Sequence, residues 1–394
     1  MKQNSSFIQR YSIYKVFKDA FLIYQSKSES YKVTFLLLLV SSLPFGIYLV
    51  HTLANGTFLT NMILSLMGTI SGTHVFATLY LYFSDRNISK GVYKPKLTLI
   101  IIPLCIIIFT ILAAMTFSMN YLLIFMIFYA HYAIVHFGRQ NLGIFSFFTL
   151  SELGRPLNKT EKLLINSMVI CGLFGAMKIF SPNYMLDPNL FAINSEGFSD
   201  YADFTHDIGK KLYLILIIFS GYYLFLNKKN FSLMTASMFV ICILWFFPIF
   251  YLFEYPLLSF ASWSVSHGFQ YLVILFSHSL NLVNKEKSIE NFSLQNLDEK
   301  KSKVIRYIIS ITPFIFLIFI MFIGKELWVN QPVLFSGLDI IFKNIEENSI
   351  LKLGVGLILG ITLAHYFVDQ FLWRLKDPEK RHWFKSRFPY ISNK

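Results

Sequence analysis

The sequence predicts an all-α, polytopic integral membrane helical bundle of about ten transmembrane helices, with both termini in the cytoplasm. Hydrophobic residues make up 55% of the 394 residues and charged residues only 14%, whereas about 25% of the residues in soluble domains are charged. Apolar stretches of roughly 20 residues, the length that crosses the hydrocarbon core, recur along the chain. Basic segments alternate with uncharged or acidic ones between these stretches, which is the pattern of a polytopic protein.

The chain divides into three predicted regions. Residues 1–31 form a cytoplasmic interfacial amphipathic segment, because aromatic residues from Phe7 to Tyr24 recur at helical spacing with basic residues between them. A solvated arm packed on the protein's own loops is the alternative. Residues 32–375 form the transmembrane helical domain, and residues 376–394 form a basic cytoplasmic tail. The predicted spans are residues 32–51, 58–83, 97–118, 120–146, 163–181, 211–227, 231–253, 257–283, 304–324 and 349–375.

The charges of the connecting segments orient these spans. Lys and Arg are concentrated in the segments predicted to be cytoplasmic, which are residues 84–96, 147–162, 227–230 and 284–303. Residues 52–57 carry no charge and residues 182–208 are acidic, so both are predicted to lie outside; residues 325–348 mix both signs. We attribute the net charge of +13 to orientation and to contact with anionic membrane lipids, and expect no nucleic-acid partner. The predicted location is the bacterial inner membrane or an equivalent membrane.

Histidines are the candidate functional residues inside the spans. Ionisable groups within a membrane are rare and usually functional, and six of the nine histidines, all except His51, His206 and His382, fall in the interiors of predicted spans. These spans all run from outside to inside, so their histidines lie between mid-bilayer and the inner headgroups at roughly 1.5 Å per residue. We therefore predict one metal site from His74, His131, His136, His267, His278 and His365, together with Asp369.

Local spacing supports convergence on one site. His365 and Asp369 are four residues apart and share a helical face, so Asp369 can bind the same metal or orient the imidazole. His131 and His136 lie about 140° apart around a regular helix, so both cannot point straight at one ion unless the helix is locally irregular. A single intramembrane histidine can instead hydrogen-bond a neighbouring helix. His278 lies nearest the inner surface and is the weakest candidate.

Four further residues are candidates for cofactor or substrate binding. Gln140 is aligned with His136, while Gln270 and Tyr271 share a face with His267. Arg139 is suited to a substrate carboxylate or phosphate, or simply extends to the membrane surface. The three remaining histidines, His51, His206 and His382, are predicted to be solvated at a span end, in the outer acidic loop and in the tail.

Imidazole-rich ligation with one carboxylate is typical of a transition metal, with iron favoured and zinc as the alternative. Iron predicts oxygen-dependent hydroxylation, desaturation or cleavage of a lipid or another hydrophobic small molecule, with an electron-donor protein as partner. Zinc predicts hydrolysis of a lipid or headgroup. We accordingly expect a metal-dependent oxidoreductase acting on a lipid. A transporter of metal ions or protons, and a haem-binding electron-transfer protein, are the other two function classes that intramembrane histidines fit.

The chain resembles the membrane-bound di-iron fatty acid desaturases and hydroxylases in being hydrophobic, polytopic and rich in histidine. Their HxxxH and HxxHH boxes are absent from this sequence. The nearest patterns are H-x4-H at His131 and His136, and HxxxD at His365 and Asp369. The resemblance therefore assigns no family, and a di-iron mechanism is an analogy of chemistry only.

Overall fold

The computed structural model describes residues 29–54, 74–75, 97–116, 119–180, 195–252, 262–275, 277 and 349–372. Every regular element in this part of the chain is helical. The predicted interfacial segment before residue 29, the span 304–324, the basic tail and His278 lie outside the described residues. So does the span 58–83, apart from His74 and Val75.

Nine helices are described. In chain order they are α1 (Glu29–Ser41), α2 (Leu43–Ala54), α3 (Ile102–Thr116), α4 (Met119–Leu153), α5 (Lys159–Ala176), α6 (Ser195–Leu226), α7 (Leu233–Leu244), α8 (residues 262–275) and α9 (Ser349–Leu372). Leu97–Ile101 and Pro248–Leu252 form π-helical turns, and Met177–Phe180 and Lys228–Asn230 form 3-10 turns. His74 and Val75 are also helical.

Four of the described stretches are long and apolar enough to cross a membrane. They are Tyr31–Val50, Leu99–Thr116, Ser199–Leu226 and Lys352–Gln370, with mean hydropathies of 2.2, 2.8, 1.4 and 1.3. Large apolar side chains such as Phe109, Ile218 and Phe225 are exposed on these helices, as lipid-facing residues are. The chain is thus a helical membrane protein, whereas the number of ten spans and the cytoplasmic termini stay predictions.

Two helices extend beyond their predicted spans. α4 has 35 residues, which makes it about 52 Å long and longer than a bilayer requires. α6 begins at Ser195, so much of the segment predicted as an outer loop is helical. His206 on α6 was expected to be solvated but is only 5% exposed. Its Nε2 donates to the Phe250 carbonyl at 2.9 Å, which satisfies the ring without water.

The connection between α4 and α5 is held by an ion pair in which the carboxylate is buried and the guanidinium is 30% exposed. Arg155 donates to both carboxylate oxygens of Glu161 at 2.7 and 3.0 Å, and Glu161 is fully buried. Asn158 caps α5 by accepting from the Glu161 N–H at 2.8 Å, while Glu161 accepts from the Asn158 N–H at 2.9 Å. The Glu161 carboxylate raises the pKa of the Arg155 guanidinium above its ordinary value. The guanidinium therefore keeps its charge through the alkaline range.

α7 is interrupted at its C-terminal end, where Trp245 and Phe246 lead into Pro248. Proline has no N–H and cannot continue a regular helix. The Tyr213 hydroxyl donates to the Ile243 carbonyl at 2.8 Å and accepts from the Phe246 N–H at 3.1 Å. The Tyr213 side chain of α6 thus hydrogen-bonds a carbonyl and an N–H that have no helical partner at the break. In an apolar environment such backbone groups are costly without a partner.

α9 packs closely along α3. A Cβ on Gly356 would come within 2.7 Å of the Ile111 Cα, and one on Gly360 within 2.8 Å of the Ile107 Cα. Such contacts are too short for any other residue, so the two glycines permit the approach of the two backbones. The buried aromatic core lies beside this pair, among α4 to α8, and includes Phe145, Phe148, Tyr213, Trp245 and Trp263. This packing holds α9, the helix that carries His365 and Asp369.

Candidate metal centre

Four histidines and one aspartate meet in the interior. His74 comes from the short helical piece at 74–75, His136 from α4, His267 from α8, and both His365 and Asp369 from α9. We call these five residues the histidine cluster. The ring centroids of His74 and His267 are 4.7 Å apart, those of His74 and His365 4.8 Å, and those of His136 and His267 4.9 Å.

The histidine cluster is almost completely removed from solvent. His267 has no exposed surface, and His74, His365 and Asp369 are 2–4% exposed. The His136 side chain is 10% exposed. Burying this many ionisable groups is costly unless each one is paired, hydrogen-bonded or bound to a metal.

The ligand atoms of the cluster form two groups that share His365. His74, His267 and His365 form one group, and His136, His365 and Asp369 form the other. Within each group the ligating atoms all lie within 4.8 Å of one another. His365 and Asp369 are on one face of α9, as their i, i+4 spacing predicts. Their contacts with His74, His136 and His267 depend on the packing of three other segments.

Two interatomic distances in the second group are closer to the separation of two ligands on one metal ion than to the length of a hydrogen bond. Oδ2 of Asp369 is 3.5 Å from Nε2 of His365 and 3.9 Å from Nε2 of His136. A hydrogen bond between these atoms would be about 2.7–3.2 Å long. Two ligands bound at about 2.1 Å to one tetrahedral ion are about 3.4 Å apart. The two separations differ from that value by about 0.1 Å and about 0.5 Å.

Some ring nitrogens of the cluster are buried without hydrogen bonds. Both ring nitrogens of His267 lack a hydrogen-bond partner among the described residues, and so does Nε2 of His136. A buried polar atom left unsatisfied costs about 1–3 kcal/mol, so native proteins keep such atoms few. A metal ion accepts the lone pair of a neutral imidazole and would remove that cost.

Aromatic rings enclose the cluster. Tyr366 stacks on His136 with a centroid distance of 4.2 Å and an interplanar angle of 29°. Phe137 contacts His267 at 4.3 Å. The Tyr271 ring is 5.7 Å from His74 and from His365, and its hydroxyl donates to Oδ1 of Asp369 at 3.3 Å. These rings restrict rotation of the imidazoles and exclude water.

A network of buried amides lies beside the cluster and ties its helices together. Gln140 donates to the His267 carbonyl at 3.1 Å and to Oε1 of Gln270 at 3.0 Å. Gln270 donates to Oγ of Ser41 at 2.8 Å and to Oδ1 of Asn141 at 2.9 Å. Gln140 and Gln270, predicted to bind a cofactor or substrate, therefore hold α1, α4 and α8 together. Ser41 and Asn141 were not predicted, because no local pattern distinguishes them from other small polar residues.

The other predicted site residues belong to neither ligand group or lie outside the described chain. Nδ1 of His131 donates to the Ile127 carbonyl at 2.7 Å, a bond within its own helix. His131 belongs to neither ligand group of the described residues. Arg139 is exposed, as expected for a side chain that extends to a surface. His278 is not among the described residues.

Comparison of the chain with protein-family models, with curated proteins and with solved structures gave no match. A functional proposal therefore depends on the chemistry of the histidine cluster.

Proposed function

We propose that the chain is a membrane-embedded, metal-dependent enzyme that modifies a lipid or another hydrophobic substrate. The observation that carries the proposal is the convergence of four buried imidazoles and one buried carboxylate at ligand-to-ligand spacing. Neutral imidazoles and a single carboxylate are ligands for iron, zinc, copper or manganese. Structural hydrogen bonding alone explains the cluster poorly, because the ring nitrogens of His267 are buried without partners among the described residues.

The composition of the cluster favours iron. His136, His365 and Asp369 are two histidines and one carboxylate, the ligand set of non-haem iron oxygenases. Such an ion supplies oxygen-dependent oxidation when electrons come from a donor protein. The three-histidine group of His74, His267 and His365 is the set that suits a hydrolytic zinc ion, which is the alternative.

The residues around the metal would control access to it. Tyr366 and Phe137 cover two of the imidazoles and keep water away. Their apolar faces are compatible with an acyl or isoprenoid chain and not with a polar metabolite. Large apolar side chains are exposed on α9, the helix that carries His365 and Asp369, so a hydrophobic substrate would approach the site from the bilayer.

Metal analysis of detergent-purified protein tests the proposal. The full-length chain is incubated with Fe²⁺ or Zn²⁺ under anaerobic conditions, desalted and analysed for bound metal. We expect stoichiometric metal in the wild type and loss of most of it in His136→Ala, His267→Ala and His365→Ala. His131→Ala is the matched control, because His131 lies on the same helix as His136, donates to the Ile127 carbonyl and belongs to neither ligand group of the described residues. A wild type that binds neither ion, or equal loss in His131→Ala, would contradict the proposal.

A second measurement separates the enzyme from a transporter. A transporter moves its ion across the bilayer, whereas a catalytic ion stays bound. Proteoliposomes that contain the protein should therefore show no uptake of radioactive iron beyond the amount bound by the protein. Uptake that continues past one equivalent and is abolished by His365→Ala would assign the cluster to transport.

A further inference from the structure

We infer that Tyr271 is a positioning residue that keeps Asp369 as a one-oxygen ligand of the metal. The inference rests on the proposed function, since it concerns the metal that the histidine cluster would hold. It adds that one coordination position is kept open by a hydrogen bond from outside the ligand set.

The two oxygens of Asp369 have different neighbours. Oδ2 faces Nε2 of His365 at 3.5 Å and Nε2 of His136 at 3.9 Å. Oδ1 accepts a hydrogen bond from the Tyr271 hydroxyl at 3.3 Å. The carboxylate therefore presents one oxygen to the imidazoles and the other to a phenol.

Tyr271 is well suited to hold this arrangement. The residue is 1% exposed and lies four residues after His267, so the same rotation of α8 directs both side chains toward the cluster. A buried tyrosine has only two side-chain torsions and no water to compete for its hydroxyl. The bond of 3.3 Å is long for O–H···O, and a movement of about 0.6 Å would bring it to the length of a charge-assisted bond, about 2.7 Å.

The consequence concerns coordination number. A carboxylate that coordinates through both oxygens occupies two positions of an ion, and one that coordinates through a single oxygen occupies one. A hydrogen bond to Oδ1 favours the second mode, because it occupies one of the two lone pairs of Oδ1 and makes that oxygen a weaker metal ligand than Oδ2. The hydrogen-bonding partners of metal ligands commonly set ligand orientation in this way. The position left open is the one that a substrate or oxygen would use.

Cobalt(II) reports coordination number, since its visible absorption weakens as the number of ligands rises. The experiment compares cobalt-loaded wild type with Tyr271→Phe, which removes only the hydroxyl. We expect Tyr271→Phe to bind cobalt roughly 10-fold more weakly and to show weaker absorption per bound ion at saturation. Tyr251→Phe is the matched control. Tyr251 is also buried, and its hydroxyl donates to the Cys171 carbonyl at 2.6 Å, so the substitution also removes one buried tyrosine hydrogen bond. The control should keep the affinity and the spectrum of the wild type.

The outcomes separate this inference from the proposed function. A wild type that binds no cobalt would overturn both. A wild type that binds cobalt, with Tyr271→Phe unchanged in affinity and spectrum, would overturn the inference and leave the metal site standing. Weaker binding with an unchanged spectrum would also contradict it, because Tyr271 would then strengthen binding without controlling coordination.

If Tyr271→Phe fails to fold, a measurement on the wild-type protein still tests the inference. Infrared difference spectra of metal-loaded and metal-free protein with isotope-labelled aspartate resolve the two carboxylate stretches. One-oxygen coordination separates these bands widely, and two-oxygen coordination brings them together. We expect the wide separation, with the label-sensitive bands lost in Asp369→Asn; a narrow separation would refute the role of Tyr271.

Discussion

Replacement of Gln270 by methionine tests whether the amide network holds the helices that form the site. Methionine is similar in size to glutamine but cannot hydrogen-bond as an amide. Gln270 accepts from Gln140 at 3.0 Å and donates to Ser41 at 2.8 Å and to Asn141 at 2.9 Å. The substitution therefore removes three buried hydrogen bonds between α8 and its neighbours, α1 and α4.

The expected decrease in the free energy of unfolding follows from the number of hydrogen bonds removed. Interhelical hydrogen bonds in membrane proteins contribute about 0.6 kcal/mol each on average, so three of them contribute about 2 kcal/mol. Metal binding should weaken as well. Gln140 donates to both Gln270 and the His267 carbonyl, so loss of Gln270 would free Gln140 to move and would loosen the backbone that carries His267. Gln270→Met should therefore lower both the free energy of unfolding and the affinity for iron.

Reversible unfolding in mixed detergent micelles, followed by circular dichroism, measures the first quantity. Gln370→Met is the matched control, because Gln370 lies on α9 and is exposed. Its effect should stay within about 0.5 kcal/mol. If Gln270→Met were as stable as the control and bound iron equally well, the network would not position the site and the reasoning would be wrong.

Two further predictions concern packing and charge. Gly360→Leu should destabilise the protein by about 1–3 kcal/mol and lower its metal content, because α9 can then no longer approach α3. Gly354→Leu is its control, since a Cβ there meets no described residue within 4 Å. Equal effects of the two changes in thermal unfolding would refute the close packing. Arg155→Met should cost roughly 3 kcal/mol because it leaves the buried Glu161 carboxylate without its cation. Lys159→Met, at an exposed position, should be nearly neutral in the same unfolding assay, and an equal loss would contradict a structural ion pair.

The sequence predicted a helical membrane protein and part of the histidine cluster from local features. Hydropathy depends on composition within a window, so it identified the stretches around Leu99–Thr116 and Lys352–Gln370 as membrane helices. The pairing of His365 with Asp369 follows from helical periodicity alone, and the two side chains do face each other. His206 was assigned wrongly, because acidic neighbours suggested a loop where α6 is already helical and covers the ring.

Tertiary structure decided which groups face one another across helices. Helical spacing indicated that His131 and His136 point in different directions, but only the packing of α4 against α8 and α9 selected His136. The bond from Gln270 to Ser41 joins residues separated by 229 positions, and the bond from Tyr271 to Asp369 joins residues separated by 98. Such contacts depend on the rotation and depth of whole helices. Those are set by the sum of many weak packing contacts and not by the residues in any one window.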